Sequence, residues 1–277
     1  MTTTIPYPAT VPAAEPIILA EGLTKIFSSS KRTGRFRRRE HETADFTAVD
    51  GIDLRVAEGE LVGYIGPNGA GKSTTIKMLT GILTPTSGVL RVAGHEPQRE
   101  RVRLARRIGV VFGQRTTLWW DLPLKDSFAL LQRLYKIPRE RYLANLAHYT
   151  EALDLGPFLD RPVRQLSLGQ RMRGDITAAL LHDPAIVYLD EPTIGLDIVS
   201  KHSVREFLSD LNRRTGTTIL LTTHDVADIE RLCSRVVAID HGRVTYDGSL
   251  DELRADRDLE TVVRELYLGR SLVDTTE

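Results

Sequence analysis

The segment Gly66-Pro67-Asn68-Gly69-Ala70-Gly71-Lys72-Ser73 fits the pattern G-x-x-x-x-G-K-[ST] at every fixed position. It follows a short apolar run, Leu61 to Ile65, and opens a stretch, 72–82, with helical spacing. A buried strand that turns through glycines into a helix is the context this pattern requires. The glycines let successive backbone N–H groups face inward around phosphate oxygens. The helix N-terminus adds partial positive charge. Lys72 would reach the β- and γ-phosphates of a nucleotide, and Ser73 would ligate Mg2+. The predicted phosphate-binding set is therefore Gly66, Pro67, Asn68, Gly69, Ala70, Gly71, Lys72, Ser73 and Thr74. An ordinary Gly-rich turn is the rival reading, and a full match in the right context weighs against it.

A second signal lies downstream. Ile186-Val187-Tyr188-Leu189-Asp190-Glu191 ends an apolar run with two adjacent acids. Neighbours in a strand point to opposite faces. One acid, Asp190, can hold Mg2+ through water, while Glu191 at the strand end faces the nucleophile as general base. Alone such a pair is weak, because acids often end strands as plain turn residues. Beside a phosphate loop it gains weight.

Strand-like runs at Leu61–Ile65, Ile186–Leu189, Thr218–Leu221 and Val236–Ile239 alternate with helical stretches. That alternation predicts a mostly parallel sheet covered on both faces, hence an α/β fold. Two earlier strands are expected at Ile17 to Phe27 and about Phe46 to Val56. Between Leu124 and Leu155 the spacing is helical throughout, so a helical subdomain is expected at about 116–165. Residues 1–14, rich in Thr, Pro and Ala, read as a flexible tail. The main domain is expected over 15–247, with a short helical extension over 248–277.

Lys plus Arg equals Asp plus Glu at 37 each, which gives no sign of a globally basic nucleic-acid binder. The single cysteine, Cys233, cannot form an internal disulfide and reads as buried. Met1 to Glu15 lacks the features of a secretory signal, and no run of about 18 apolar residues offers a membrane span. The polar insert Ser28 to Glu42 carries Lys31, Arg32, Arg35, Arg37, Arg38 and Arg39. A solvated charge run is the ordinary reading. Contact with anionic lipid headgroups or a partner's loops is the alternative.

Leu166-Ser167-Leu168-Gly169-Gln170 resembles the signature sequence of the ABC transporter ATPase family, usually written LSGGQ. The resemblance covers about residues 17–247 and carries the other motifs in the family's order. Gln114, in Val111-Phe112-Gly113-Gln114, is similar to the glutamine that senses Mg2+ and the attacking water. Ile194-Gly195-Leu196-Asp197 is similar to the D-loop, with Asp197 crossing a dimer interface. Thr222-Thr223-His224-Asp225 is similar to the switch region, with His224 on the γ-phosphate. Phe27 resembles the aromatic that stacks on adenine, with a core phenylalanine as the alternative. Leu168 departs from the pattern, which has glycine; Ser167 is a plausible N-cap for the helix that follows.

The resemblance implies a P-loop NTPase core with an antiparallel β subdomain and an inserted helical subdomain. It implies ATP and Mg2+ as ligands, a homodimer or heterodimer of ATPase subunits, and an integral membrane permease as partner. Catalytic roles fall to Glu191, His224 and Gln114; metal binding falls to Ser73, Gln114 and Asp190. Ser167, Gly169 and Gln170 would serve the partner's nucleotide. The wording of Gly66 to Leu83 and of Phe112 to Trp120 resembles ABC-2-type exporter ATPases, which implies export from the cytoplasmic face of the membrane. The adjacent Trp119 and Trp120 are expected to help dock the permease, with packing of one or both inside the helical subdomain as the alternative. A soluble ABC ATPase acting on nucleic acid or ribosomes is the alternative; no paired cassette, coiled-coil insertion or zinc module supports it.

Overall fold

The computed structural model describes residues 15–32, 41–113 and 115–267. The expected tail at 1–14, the centre of the basic insert at 33–40, Gln114 and the last ten positions lie outside the described residues.

Six strands form the central sheet, in the order β5 (Ile108–Phe112), β6 (Ile186–Asp190), β7 (Thr218–Thr222), β3 (Leu61–Ile65), β8 (Arg235–Asp240) and β9 (Arg243–Ser249). The first five pair in parallel, and β9 returns antiparallel on β8. Every residue of β3 and β7 is buried, as expected for central strands covered on both faces. Their neighbours split by alternation. Leu61 and Ile65 of β3, with Val187 and Leu189 of β6, enter one core; Val62, Tyr64, Ile186 and Tyr188 enter the other.

A second, antiparallel sheet runs β2 (His41–Val56), β1 (Ile18–Arg32), β4 (Ser87–Val92). With α1 (Lys72–Leu79) it forms the core on one face of the central sheet, through Ile18, Leu23, Leu54, Ile76 and Met78. The opposite face carries α5 (Leu168–Leu180), α6 (Ile198–Thr215) and α7 (Val226–Leu232). The helical block, α3 (Leu124–Tyr135) and α4 (Arg139–Ala152), packs onto α5 in the same continuous core.

Two expectations need correction, and three strands were not anticipated. The helical run from 124 to 155 is broken, because Lys136 turns left-handed at φ 56° and Pro138 starts a new helix. The insert is not wholly separate from its strands: β1 continues to Arg32 and β2 begins at His41. Strands β4, β5 and β9 are not among the strand-like runs read above; in β4 only two of six residues are buried, so its apolar pattern is thin, whereas β5 is the apolar run Ile108-Gly109-Val110-Val111-Phe112, passed over there.

Besides α2 (Arg101–Ala105) and two 3-10 turns, Gly156–Phe158 and Val163–Gln165, the described residues hold α8 (Leu250–Arg254) and α9 (Leu259–Tyr267). They are no loose appendage. Leu250, Leu253, Leu259, Val262, Val263 and Leu266 are buried in the main core. Cys233 is buried as expected, its sulfur against Gly63. Among the described residues no helix is long and apolar enough to cross a membrane.

Candidate functional site

The phosphate loop joins β3 to α1 and wraps a tight path. Gly71 stands at φ 109°, and a Cβ there would lie 2.5 Å from the Ala48 carbonyl oxygen. At Gly66 a Cβ would lie 2.1 Å from the Ile239 carbonyl oxygen. Both positions therefore require glycine. Gly71 caps α1 without any side-chain hydrogen bond. The N–H groups of the first turn, from Lys72, Ser73 and Thr74, have no intrahelical acceptor and are free for an anion.

Lys72 is buried, and its ammonium donates to the carbonyl oxygens of Gly66 at 2.5 Å and Pro67 at 3.0 Å. Its reach thus spans the mouth of the loop. Burial pushes the Lys72 pKa down, and the nearby charges of Glu191 and Asp190 oppose that shift. A cation held between phosphate-facing amides and two carboxylates suits a polyanionic ligand with a metal.

Asp190 ends β6. Ser73 Oγ donates to its Oδ2 at 3.2 Å, and Thr222 Oγ1 donates to its Oδ1 at 2.6 Å. Strand alternation predicts that Glu191 turns to the opposite face. The structure corrects that argument: Glu191 has left the strand, at φ 56°. A left-handed glutamate costs roughly 1–3 kcal/mol and persists only where its surroundings hold it. Here the Glu191 N–H donates to the Thr222 carbonyl at 3.0 Å. The flip keeps both acids on one site. Glu191 Oε1 lies 2.8 Å from His224 Nε2, at the end of the neighbouring strand β7.

A second cluster of motif residues lies at the N-terminus of α5. Ser167 Oγ accepts from the Gln170 N–H, and Gln170 Oε1 accepts from the Ser167 N–H, a complete capping box. Gly169 is buried, and a Cβ there would meet Ser200 Oγ at 2.6 Å. Ser200 in turn donates, by N–H and hydroxyl, to Asp197 at 2.9 and 2.7 Å. Leu168 reaches over Gly195, where a Cβ would lie 2.8 Å from Leu168 Cδ2. The signature turn and the D-loop therefore form one packed unit.

Phe27 is 39 % exposed on β1, opposite Phe46, so the core alternative fails. Lys25 lies over its ring at 5.2 Å. Trp119 and Trp120 are both about half exposed, at 40 % and 49 %, and Arg171 sits over the Trp120 ring.

Several site residues escaped sequence reasoning. Gly113 is compelled by Glu191, whose carbonyl oxygen would lie 2.3 Å from a Cβ there. Fully buried Asp228 accepts from Thr193, Thr223 and Arg205, tying the segment after Glu191 to the segment around His224. An acid in a helix gives no such signal in one dimension. Thr222 could have been found, since it closes the strand beside Asp190.

This fold and this site define a P-loop ATPase. The family model described as ABC transporter matches residues 49–194. The ABC transporter ATP-binding protein NatA of Bacillus subtilis is 36 % identical over 217 residues, covering 78 % of this chain and 88 % of its own length. A Nod factor export ATP-binding protein I of Cupriavidus metallidurans is 39 % identical over 224 residues, covering 80 % and 73 %. A dimeric ATP-binding cassette solved in a post-hydrolysis state with ADP and phosphate superposes with a TM-score of 0.71 at 25 % identity, covering 84 % of this chain and 98 % of that one. The chain belongs to the ABC transporter family: it is an ATP-binding, ATP-hydrolysing subunit that drives transport through a separate permease.

Proposed function

We propose that two such ATPase subunits, identical or related, close head to tail around two ATP molecules. In each site Lys72 and the amides from Gly66 to Thr74 hold the phosphates, and Phe27 stacks on adenine. Ser73 and Asp190 are hard oxygen donors 3.2 Å apart, a pair that suits Mg2+. Among the described residues no three His, Cys, Asp or Glu side chains gather into a metal centre. Mg2+ would be held by one carboxylate, one hydroxyl and the substrate phosphates, as is usual for this ion. When bound, Mg2+ would neutralise charge on the β- and γ-phosphates.

Glu191 takes the proton of the attacking water, and His224 holds the Glu191 carboxylate while facing the γ-phosphate. Gln114 senses metal and water. Ser167, Gly169 and Gln170 of the partner subunit approach the same phosphate, and Asp197 crosses the interface. The observation that carries this reading is the Glu191–His224 contact at 2.8 Å beside the buried Lys72. ATP binding closes the dimer and hydrolysis reopens it, moving the permease between two states.

The direction we infer is export, through an ABC-2-type permease reached from the cytoplasmic face. The Nod factor export relative and the wording around Gln114 support it. Trp119 and Trp120 offer the permease an exposed aromatic anchor of the type enriched in interface hot spots. Co-purification with an integral membrane protein, without nucleic acid, is the expected outcome for the partner.

The central experiment is Glu191→Gln. It removes the base, keeps the shape, and leaves Lys72 in place. Turnover should fall about 100-fold or more, and gel filtration with MgATP should show a stable dimer. A variant that stays monomeric and hydrolyses ATP at the normal rate would refute the assignment.

A further inference from the structure

Glu191 and His224 stand on two separate loops, one after β6 and one after β7, and their side chains meet at 2.8 Å. A carboxylate that belongs to neither loop is bonded to both. Asp228, in α7, is fully buried. Its Oδ2 accepts from the Thr193 hydroxyl at 2.5 Å and from the Thr223 hydroxyl at 2.7 Å. Thr193 lies two positions after Glu191, and Thr223 lies one position before His224. The Asp228 Oδ1 accepts from Arg205 Nε, on α6, at 2.5 Å.

The turn at His224 is closed on its far side as well. The Asp225 N–H donates to Thr223 Oγ1 at 3.0 Å. The Asp225 carboxylate accepts from Lys201 Nζ at 2.6 Å and lies 3.1 Å from Arg205 Nη2. Lys201 and Arg205 are one turn apart on α6, so a single helix face grips both acids.

A buried carboxylate persists only when it is charge-paired and hydrogen-bonded. Arg205 supplies the charge for Asp228, and two hydroxyls fill its other oxygen. An apolar side chain at this point of α7 would avoid the desolvation cost and could pack as the adjacent, fully buried Ile229 does. It could not fix the directions of two hydroxyls at once. A satisfied buried network holds the segments that it joins in one arrangement. Proton transfer to a general base needs that kind of order, because the base must stand within about 2.6–3.2 Å of the proton it takes.

We propose that Asp228 is a positioning residue for ATP hydrolysis: acting through Thr193 and Thr223, it holds the Glu191 loop and the His224 loop at one separation. Asp228 itself touches neither nucleotide nor water. This rests on the reading of Glu191 and His224 as the catalytic pair.

The test uses the full chain and five forms: wild type, Thr193→Val, Thr193→Ser, Asp228→Asn and Glu191→Gln. Turnover, KM for ATP, ATP affinity and melting temperature are measured for each. Thr193→Val keeps the shape and deletes the hydroxyl, whereas Thr193→Ser keeps the hydroxyl and deletes the methyl group. In Thr193→Val, kcat should fall about tenfold to a hundredfold, as for a misplaced catalytic group. KM and ATP affinity should stay within about twofold, because binding is not what the network sets. Thr193→Ser should retain most of the turnover. Asp228→Asn should show the same split between kcat and KM, since one amide oxygen cannot serve both hydroxyls and Arg205. If Asp228→Asn does not fold, the Thr193 pair decides alone. Wild-type turnover in Thr193→Val would overturn the proposal. So would a slower Thr193→Ser than Thr193→Val, which would make the methyl contact the thing that matters. A loss of ATP affinity as large as the loss of kcat would also overturn it, because the network would then serve binding. Glu191→Gln separates the two levels. Normal turnover there would remove the catalytic pair and the proposal with it; a slow Glu191→Gln beside an unimpaired Thr193→Val would remove the proposal alone.

Discussion

Two helix N-termini are assigned to phosphate, and they are built in opposite ways. Helix α1 begins at Gly71 with no side-chain cap, and its first N–H groups stay free. Helix α5 begins at Ser167 with a reciprocal capping box, which already occupies the Gln170 N–H. The first is a cradle that leaves its donors to the ligand within the same chain. The second is a finished helix end, and in the function proposed above its Ser167 and Gly169 serve the partner subunit's nucleotide. A loop proposed to bind phosphate within its own chain can keep unsatisfied donors, because buried Lys72 would hold the same ligand. A surface destined for a partner must be stable before the partner arrives.

Lys72→Ala breaks the first half of that contrast and should have the largest effect. It removes the cation that bridges Gly66 and Pro67 and faces Asp190 and Glu191. Turnover should fall about 10²–10³-fold, as when one preorganised electrostatic contact is lost. Phosphate release and ATP affinity are the measurements. Unchanged values would reduce the loop to a turn.

The α5 side is tied to the catalytic core through Asp175. Its Oδ1 accepts from the Thr116 hydroxyl, the Thr117 hydroxyl and the Thr117 N–H, at 2.9, 3.2 and 2.9 Å. Burial pushes its pKa up to about 6, against the pull of those hydrogen bonds and of Arg171. The sign follows from linkage. Between about pH 4 and pH 6 the folded chain keeps a proton that the unfolded chain has lost. Stability from this group is complete below that window and lost as pH rises through it. The loss at neutral pH is at most ~3 kcal/mol, because each tenfold change in proton affinity is worth about 1.4 kcal/mol. Asp175→Asn keeps the accepting oxygen and removes the charge. It should raise the melting temperature at pH 7 and flatten its dependence between pH 4 and 6. A variant less stable at pH 7 would show that the charge itself holds Thr116 and Thr117.

Much of this was legible from residues because the motifs are local. Gly66 to Ser73 is contiguous, so strand, turn, helix and chemistry are read from one segment. Asp190 and Glu191 were legible as a pair, yet the alternation used to separate them failed, because a positive φ at Glu191 is set by Gly113 and Thr222 on neighbouring strands. Tyr267 was illegible for the same reason in a stronger form. The ring of Tyr267, at the end of α9, meets the His224 ring edge-on only because α9 packs onto the core, which no spacing near Tyr267 encodes. Strands β4 and β9 escaped because half-exposed strands carry few apolar residues.

The smallest expected effect concerns Leu168, where the family pattern has glycine. From sequence alone, Leu168→Gly should be tolerated at about 1 kcal/mol of helix propensity. The structure adds a packing term, because Leu168 is partly buried and presses on Gly195. The loss of stability should therefore reach about 2 kcal/mol, while ATPase activity persists, since the N–H groups of Leu168 and Gly169 are untouched. Gly195→Ala sharpens the test. Gly195 stands at φ 69°, so alanine is strained there in any background. In the wild-type background its Cβ also meets Leu168 Cδ2 at 2.8 Å, and in the Leu168→Gly background that clash is gone. Urea unfolding of both single variants and the double variant should give a double loss smaller than the sum by about 0.5–1 kcal/mol. Strict additivity would mean that Leu168 does not hold the D-loop, and that the α5 face is stabilised by its capping box alone.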